Sequence, residues 1–294
     1  MHWQKITVIG VGLLGGSIGL AIKRRGLAKR VSGYVRRTAS IEECQKAGAV
    51  DEATCDLACA VENADVVILC TPLSQMRVLT EQMLPALKRD AIVTDVGSVK
   101  ESIVQQLGPL VAKAGARFIG SHPMAGAEKM GVGAARPDLF NDAACVITPT
   151  RESSARAVEA IREFWQLVGA RPLLMSPELH DEFVSRSSHL VHIVAAELAN
   201  YVLNPTHPKE QALLCANGFR DTTRVASGSP DMWRDIALAN RKNLSRVLGV
   251  FIEDLQEFQA ALGRADGQAV QDFFEQAKRR RDQWLAQPAS PSPE

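Results

Sequence analysis

The chain has 294 residues, of which 46% are hydrophobic and 23% are charged, and its 34 Lys and Arg nearly balance 33 Asp and Glu. This composition is typical of a folded globular protein of about two domains, and it excludes a disordered chain and a disulfide-stapled miniprotein. The net charge of +1 and the 5% aromatic content give no reason to expect nucleic acid or an anionic membrane as a partner.

The cysteines and the first apolar segment indicate the cellular setting. The six cysteines form no CxxC pair, so small buried side chains in a reducing compartment are predicted rather than metal ligands. The uncharged stretch from Ile6 to Ile22 is rich in glycine and slightly short for a bilayer crossing of about 20 residues. We therefore expect no membrane span and a cytoplasmic protein.

The first half of the chain alternates short apolar runs with helical stretches. Strands are predicted at residues 5–10, 31–35, 65–70, 91–95, 117–120 and 144–148, and helices at 17–25, 42–47, 74–88 and 100–114. This alternation predicts an α/β fold with a doubly wound parallel sheet of the Rossmann type.

The second half is helical from about residue 176, where apolar residues such as Leu190, Val194 and Leu198 recur at helical spacing. The predicted domains are a dinucleotide-binding domain over residues 1–175 and an all-α domain over residues 176–287. A Pro- and Ser-rich tail over residues 288–294 is predicted to be disordered. A long helical half of this kind often forms a dimer interface, so a homodimer is expected.

A glycine-rich turn follows the first predicted strand and opens the first helix. In Gly10-Val-Gly12-Leu13-Leu14-Gly15, the first glycine permits the tight turn and the second lets a pyrophosphate approach the backbone. The third permits close packing of helix on strand, and the helix N-terminus offers amide donors to phosphate. A dinucleotide-binding turn is the prediction, and a glycine-rich turn without a ligand is the alternative.

The end of the second predicted strand bears on the choice of cofactor. An acidic residue there would hold the ribose 2′-hydroxyl of NAD, but this chain has Val35, Arg36, Arg37 and Thr38. Two guanidinium groups suit a 2′-phosphate, so the hypothesis is that NADP is favoured over NAD. The alternative is that both arginines are solvated surface charges.

Three polar segments follow predicted strands, at the edge where open parallel sheets bind ligands. Thr71 and Pro72 follow the third strand, Ser98 follows the fourth, and His122 follows the fifth within Ser121–Glu128. A histidine at a strand end beside proline and glycine is poorly explained by core packing. His122 is therefore predicted to take part in chemistry.

The helical half carries two further polar groups. Ser188 and His192 lie one helical turn apart, and His189 could pair with His192 on a metal, but no carboxylate motif accompanies them and no metal is predicted. Arg220 and Arg224, four residues apart on one predicted helical face, suit bidentate binding of carboxylates. A surface salt-bridge face is the alternative.

Together these motifs resemble the prephenate dehydrogenase family, including its arogenate-using members. The resemblance runs from about residue 6 to about residue 260, and its most specific segments are residues 95–100, 121–128, 188–192, 218–224 and 232–235. It implies an N-terminal dinucleotide domain, a helical dimerisation domain and an active site between them. The implied reaction converts prephenate to 4-hydroxyphenylpyruvate, or arogenate to tyrosine, with NAD(P).

The resemblance also implies roles for individual residues. His122 resembles the group that takes the proton of the ring hydroxyl as hydride leaves, and Ser98 resembles its companion between hydroxyl and nicotinamide. Arg224 resembles the principal anchor for a carboxylate of the small diacid substrate, with Arg220 nearby. The other implied residues are His192 and Ser188, which line the side-chain end of the substrate pocket, and Glu128, which pairs with the arginine and gates access.

Two positions depart from the family pattern. Val35 stands where relatives commonly have Asp, and Asn217 stands where some have glycine. Two other functions are compatible with the same two-domain plan: a β-hydroxyacid or imine-type NADP-dependent dehydrogenase, and a catalytically silent NADP-binding regulator.

Overall fold

The computed structural model describes residues 3–126 and 129–286. The chain divides into two compact units, Met1–Asn240 and Arg241–Glu294. This division reflects packing, and it falls inside the helical half because the first helices of that half pack with the sheet-containing part. The boundary near residue 175 therefore stays a prediction, and the tail over residues 288–294 lies outside the described residues.

The first unit is built around one sheet. Its strands are β1 Trp3–Ile9, β2 Ala28–Tyr34, β3 Glu52–Thr54, β4 Val66–Leu69, β5 Ile92–Asp95, β6 Arg117–Pro123, β7 Ala144–Thr148 and β8 Arg171–Leu174. The eight strands lie in the order β3-β2-β1-β4-β5-β6-β7-β8, which changes direction between β1 and β4. Such a switch point is where doubly wound sheets bind ligands. The predicted Rossmann-type fold is confirmed.

One strand pair departs from the predicted parallel arrangement. β6 pairs in parallel with β5 through Arg117–Ile119, and then continues in antiparallel pairing with β7 through residues 120–123. The continuation was not predicted, because β6 was expected to end at Gly120. Its consequence is that His122 is part of a strand and lies opposite Val146.

The helices of the first unit flank this sheet and extend beyond it. They are α1 Leu13–Arg25, α2 Ala39–Lys46, α3 Leu57–Val61, α4 Leu73–Met83, α5 Glu101–Lys113, α6 Ala155–Val168, α7 Pro177–Val184, α8 Leu190–Val202, α9 Glu210–Leu213, α10 Asn217–Thr223 and α11 Pro230–Ala239. Shorter 3-10 helices cover Leu84–Ala86, Val132–Ala134 and Arg224–Ser227, and a π-helix covers Ser185–His189. The helix predicted over 74–88 ends at Met83 because Pro85, which has no amide hydrogen, follows.

The core lies on both faces of the sheet. Along β4, Val66 and Ile68 belong to one apolar cluster, and Val67 and Leu69 belong to a second. Successive side chains of a strand point to opposite faces, so this division shows that β4 is buried on both sides, as a central parallel strand should be.

The second unit consists of α12 Arg241–Gly263 and α13 Gly267–Ala286. Phe258 of α12 packs against Phe273 and Phe274 of α13, with ring centroids 4.5 Å and 5.9 Å apart. None of the helices in the described ranges combines the length and apolarity that a bilayer crossing requires.

A buried ion pair ties the end of β5 to β6. Lys100 is completely buried, and its ammonium group contacts the Asp95 carboxylate and donates to the carbonyl oxygen of Ser121 at 2.9 Å. The same carboxylate accepts hydrogen bonds from the amides of Gly97, at 2.8 Å, and Ser121, at 3.2 Å. The pair therefore fixes the loop of residues 96–99 against the strand that carries His122.

Replacing Lys100 by Met should lower the free energy of unfolding by about 3–5 kcal/mol, because it leaves the Asp95 carboxylate buried without its cation. Urea denaturation followed by tryptophan fluorescence measures this. The control is Lys278→Met, which removes an exposed pair with Asp282 and should leave stability unchanged. Equal stability of both variants would contradict the assigned role of the pair.

Candidate active site

The glycine-rich turn after β1 gives its three glycines different surroundings. Gly10 has a φ of +94°, and a Cβ there would lie 2.8 Å from the carbonyl oxygen of Cys70. A Cβ on Gly15 would overlap the carbonyl oxygen of Gly10. At Gly12, by contrast, no heavy atom of the described residues, apart from the adjoining backbone, lies within 4 Å of the Cβ position, so the turn leaves open space beside this backbone.

The start of α1 fits an anionic group in that space. The helix begins at Leu13, with Leu14 next; its first turn has no acidic residue, and no side chain caps its amides. Nearby, the Thr71 hydroxyl is buried without a hydrogen-bond partner among the described residues, and its methyl group lies beside Gly10. Pro72 follows and leads into α4. Unfilled backbone donors and an open glycine cradle suit the pyrophosphate of a dinucleotide.

The end of β2 lies next to this turn, because the Gly10 amide donates to the carbonyl oxygen of Tyr34 at 2.9 Å. The Val35 side chain is buried in the core, whereas Arg36, Arg37 and Thr38 are exposed. The residues that directly follow β2 thus present cationic and hydroxyl groups and no carboxylate.

His122 lies at the carboxyl edge of the sheet and is 9% exposed. Its Nδ1 lies 2.8 Å from Nε2 of His180, with the two rings nearly perpendicular. Burial, reinforced by the neighbouring His180, Lys100 and His189, holds the pKa of His122 well below its usual value. The imidazole is therefore neutral at pH 7 and able to accept a proton.

His180 is held in turn by the residue that follows it on α7. Its Nδ1 lies 2.7 Å from Oδ1 of Asp181, and both side chains are buried. The Asp181 carboxylate also accepts hydrogen bonds from the amides of Lys100, at 2.7 Å, and Glu101, at 3.0 Å. Asp181 therefore joins α7 to the start of α5.

His189 occupies the end of the π-helix and links this network to the loop after β5. Its Nδ1 lies 3.2 Å from the Asn240 amide nitrogen, which also donates to the carbonyl oxygen of Asp181 at 2.8 Å. Burial lowers the pKa of His189 to about 4, although Asp181 and the backbone of Ser98 oppose the shift. The backbone of Ser98 thus lies beside His189.

His192 packs its ring on Trp233, with centroids 3.8 Å apart and planes tilted by 31°. Its Nδ1 donates to the carbonyl oxygen of Ser188 at 3.0 Å, so Ser188 contributes its backbone to this contact. Burial lowers the pKa of His192, and the positive charge of Arg224 lowers it further. Arg224 is therefore near His192, while its side chain remains exposed.

The arginine pair differs from the prediction. Arg220 lies on α10, which ends at Thr223, and Arg224 begins a separate 3-10 helix, so the two do not share one regular helical face. Both are exposed. Glu128, predicted to gate access, lies outside the described residues.

Sequence reasoning missed several members of the network: His180, Asp181, Asn240, Trp233 and the buried Lys100. Lys100 and Trp233 stand in segments that the sequence analysis singled out, but without a role. For His180 and Asp181, the local signal was a histidine beside an aspartate in the helix that opens the second half. Such a pair indicates an oriented imidazole, but it does not reveal the partner on β6.

Comparison with known proteins agrees with this geometry. The family model described as prephenate dehydrogenase, nucleotide-binding domain, matches residues 18–174, and that described as prephenate dehydrogenase, dimerization domain, matches residues 176–276. A cyclohexadienyl dehydrogenase of Zymomonas mobilis is 34% identical over 281 residues, which are 95% of each chain.

Two solved structures are also similar along nearly the whole chain. A prephenate dehydrogenase of A. aeolicus, in complex with hydroxyphenyl propionate and NAD+, has a TM-score of 0.90 and 31% identity over 96% of this chain and 99% of its own. A Synechocystis arogenate dehydrogenase has a TM-score of 0.81 and 31% identity over 96% and 100%. The chain therefore belongs to the prephenate dehydrogenase family, and it is an oxidoreductase that uses a nicotinamide cofactor.

Proposed function

We propose that the protein catalyses the oxidative decarboxylation of prephenate to 4-hydroxyphenylpyruvate, or of arogenate to tyrosine, in tyrosine biosynthesis. The observation that carries this proposal is the buried, neutral His122, hydrogen-bonded at Nδ1 and located at the carboxyl edge of the sheet. The activities named for the Zymomonas, A. aeolicus and Synechocystis relatives support the same reaction class.

The substrate chemistry explains why a neutral imidazole is sufficient as the base of this reaction. Prephenate carries a ring carbinol opposite a quaternary carbon that bears a carboxylate. A nicotinamide cofactor held at the glycine-rich turn would supply the acceptor for the hydride of the carbinol carbon. His122 takes the hydroxyl proton, and the bond to the carboxylate breaks as its electron pair enters the ring. Carbon dioxide leaves, and the proton returns to the oxygen of the new phenol.

Ser98 and Arg224 have positioning roles in this proposal. Ser98, on the loop fixed by Lys100 and Asp95, hydrogen-bonds the ring hydroxyl beside His122. Arg224, near His192, binds a substrate carboxylate, with Arg220 and the segment of Ser188 and His192 at the side-chain end. Holding the carbinol against the nicotinamide is then mainly a matter of orientation.

We assign dinucleotide binding to the glycine-rich turn after β1 and to two residues after β4: Gly10, Gly12, Leu13, Leu14, Gly15, Thr71 and Pro72. Ser98 is assigned to the nicotinamide end of the bound cofactor. We assign a preference for NADP over NAD to Arg36, Arg37 and Thr38, since their exposed side chains follow β2 where a carboxylate would repel a 2′-phosphate. Bidentate guanidinium contacts to phosphate are the chemistry that this segment can supply.

The protein acts as a homodimer through its helical half in this proposal, since residues 176–276 match a dimerization domain. α12 and α13 carry large exposed apolar side chains, which a second copy would cover: Val250, Ile252, Leu255, Leu262, Phe273, Phe274, Trp284 and Leu285. The cytoplasmic location expected from the sequence belongs to the same proposal.

His122→Asn should lower kcat by about 10²- to 10⁴-fold, because the base that takes the hydroxyl proton is lost. In the unaltered protein, the acid limb of kcat/KM should lie below pH 6.5, since the lowered pKa keeps His122 neutral, and therefore active, to more acidic pH. Steady-state kinetics across pH measure both. His207→Asn is the control and should retain full turnover; unchanged kcat in His122→Asn would remove this residue from the mechanism.

Arg224→Ala should raise KM for the diacid by roughly 10- to 150-fold with little change in kcat, because a charge-assisted hydrogen bond is worth about 1.5–3 kcal/mol. Arg224→Lys keeps the charge but not the bidentate geometry, so its KM should lie between those of the unaltered protein and Arg224→Ala. Initial-rate kinetics on both variants, with Arg162→Ala on α6 as the matched control, test this. An unchanged KM in Arg224→Ala would show that Arg224 does not bind the substrate carboxylate.

An assay of prephenate and arogenate, each with NAD and with NADP, tests the function and the cofactor assignment together. Formation of reduced nicotinamide is expected with at least one of the two substrates, and at higher kcat/KM with NADP. Arg36→Ala combined with Arg37→Ala should then lower kcat/KM for NADP by about tenfold or more, while Lys29→Ala on β2 should not.

Two outcomes would contradict these assignments. A tenfold or greater preference for NAD in the unaltered protein would remove the role of the arginines. Turnover of a β-hydroxyacid but of neither cyclohexadienyl substrate would favour the β-hydroxyacid dehydrogenase alternative, and cofactor binding without any turnover would favour the silent regulator.

A further inference from the structure

Three side chains form an unbroken hydrogen-bonded chain that ends at His122. Oδ1 of Asp181 lies 2.7 Å from Nδ1 of His180, and Nε2 of His180 lies 2.8 Å from Nδ1 of His122. His180 is 0% exposed and Asp181 is 1% exposed, so water does not compete for these contacts. Both ring nitrogens of His180 are therefore committed to protein partners, and Nδ1 of His122 is committed to His180.

The direction of this chain is set at its Asp181 end. The Asp181 carboxylate accepts hydrogen bonds from the backbone amides of Lys100 and Glu101, which begin α5. Both carboxylate oxygens thus accept from amides at the positive end of the α5 helix dipole. An ionised carboxylate only accepts hydrogen bonds, so the proton between Asp181 and His180 belongs to Nδ1 of His180.

The position of that proton determines which nitrogen carries the proton between His180 and His122. A neutral His180 with its proton on Nδ1 presents a lone pair at Nε2, and His122 must then donate from Nδ1. The charged and titratable groups close to these two rings are Asp181 on α7, Lys100 before α5 and His189 on the π-helix, and Cys145 on β7 lies beside the backbone of His122. The buried Lys100 ammonium is the fixed positive charge among these groups.

We propose that Asp181 and His180 are positioning residues that hold the proton of His122 on Nδ1 and leave Nε2 as the nitrogen that accepts a proton. The role of Nε2 in taking the substrate hydroxyl proton rests on the proposed function, but the tautomer does not. When Nε2 gains that proton, His122 still donates from Nδ1 to His180. The new positive charge is then stabilised through His180 by the Asp181 carboxylate, and no group has to reorient.

The unaltered protein tests the tautomer directly. With ¹⁵N-labelled histidine, the six histidines give a small set of ring signals, and His122→Asn identifies those of His122. We expect a protonated Nδ1 and an unprotonated Nε2 in the substrate-free protein at neutral pH. A proton on Nε2 of His122 would overturn the proposal whatever the enzyme's activity, and the measurement requires no variant of His180 or Asp181 to fold.

Two variants of His180 test the positioning role. His180→Leu removes the acceptor, so His122 should populate both tautomers and kcat should fall by about 10²- to 10⁴-fold, as when a triad histidine is left in the wrong tautomer. KM should change little. His180→Gln offers a carbonyl oxygen to Nδ1 of His122 and should recover both the single tautomer and part of kcat.

Other outcomes would contradict the positioning role. If His180→Leu retained the spectrum and kcat of the unaltered protein, or lost kcat with the tautomer of His122 unchanged, His180 would be only a packing residue. Absence of turnover with prephenate and arogenate in the unaltered protein would refute the proposed function, yet the ring spectrum would still decide the tautomer.

Discussion

The buried contact between Lys100 and Asp95 is the constraint on which the rest of the site depends. A fully buried ammonium and carboxylate must satisfy each other, and here they also satisfy the backbone of Gly97 and Ser121. Their positions determine where the loop bearing Ser98 lies and where β6 continues toward His122. The polar interior of this sheet edge thus fixes the positions of Ser98 and His122.

Asp181 connects that scaffold to the helical part of the first unit. Its carboxylate caps the start of α5 and orients His180, while its carbonyl oxygen accepts from Asn240, at the end of the unit. One residue therefore supports helix structure, the alignment of two imidazoles and the attachment of later helices. The same hydrogen bonds thus maintain the start of α5 and the alignment of His180 with His122.

Much of the fold could be predicted because its signals are local. Residues 5–15 combine an apolar strand, a glycine turn and a helix start, and the predicted strand over 144–148 matches β7. The antiparallel course of β7, the end of α10 before Arg224 and the contact between His122 and His180 depend on packing between residues distant in the chain. Periodicity and spacing do not contain that information.

The π-helix at Ser185–His189 has a consequence for how this segment can change. A π-turn is an α-helix that has accommodated one additional residue, and such turns are common at functional sites. The wide turn absorbs that residue, whereas losing a residue from the regular helix that follows would rotate the side chains beyond it by about 100° about the axis. The contacts of His189 with Asn240 and of His192 with Trp233 thus depend on where along this segment the additional residue is accommodated.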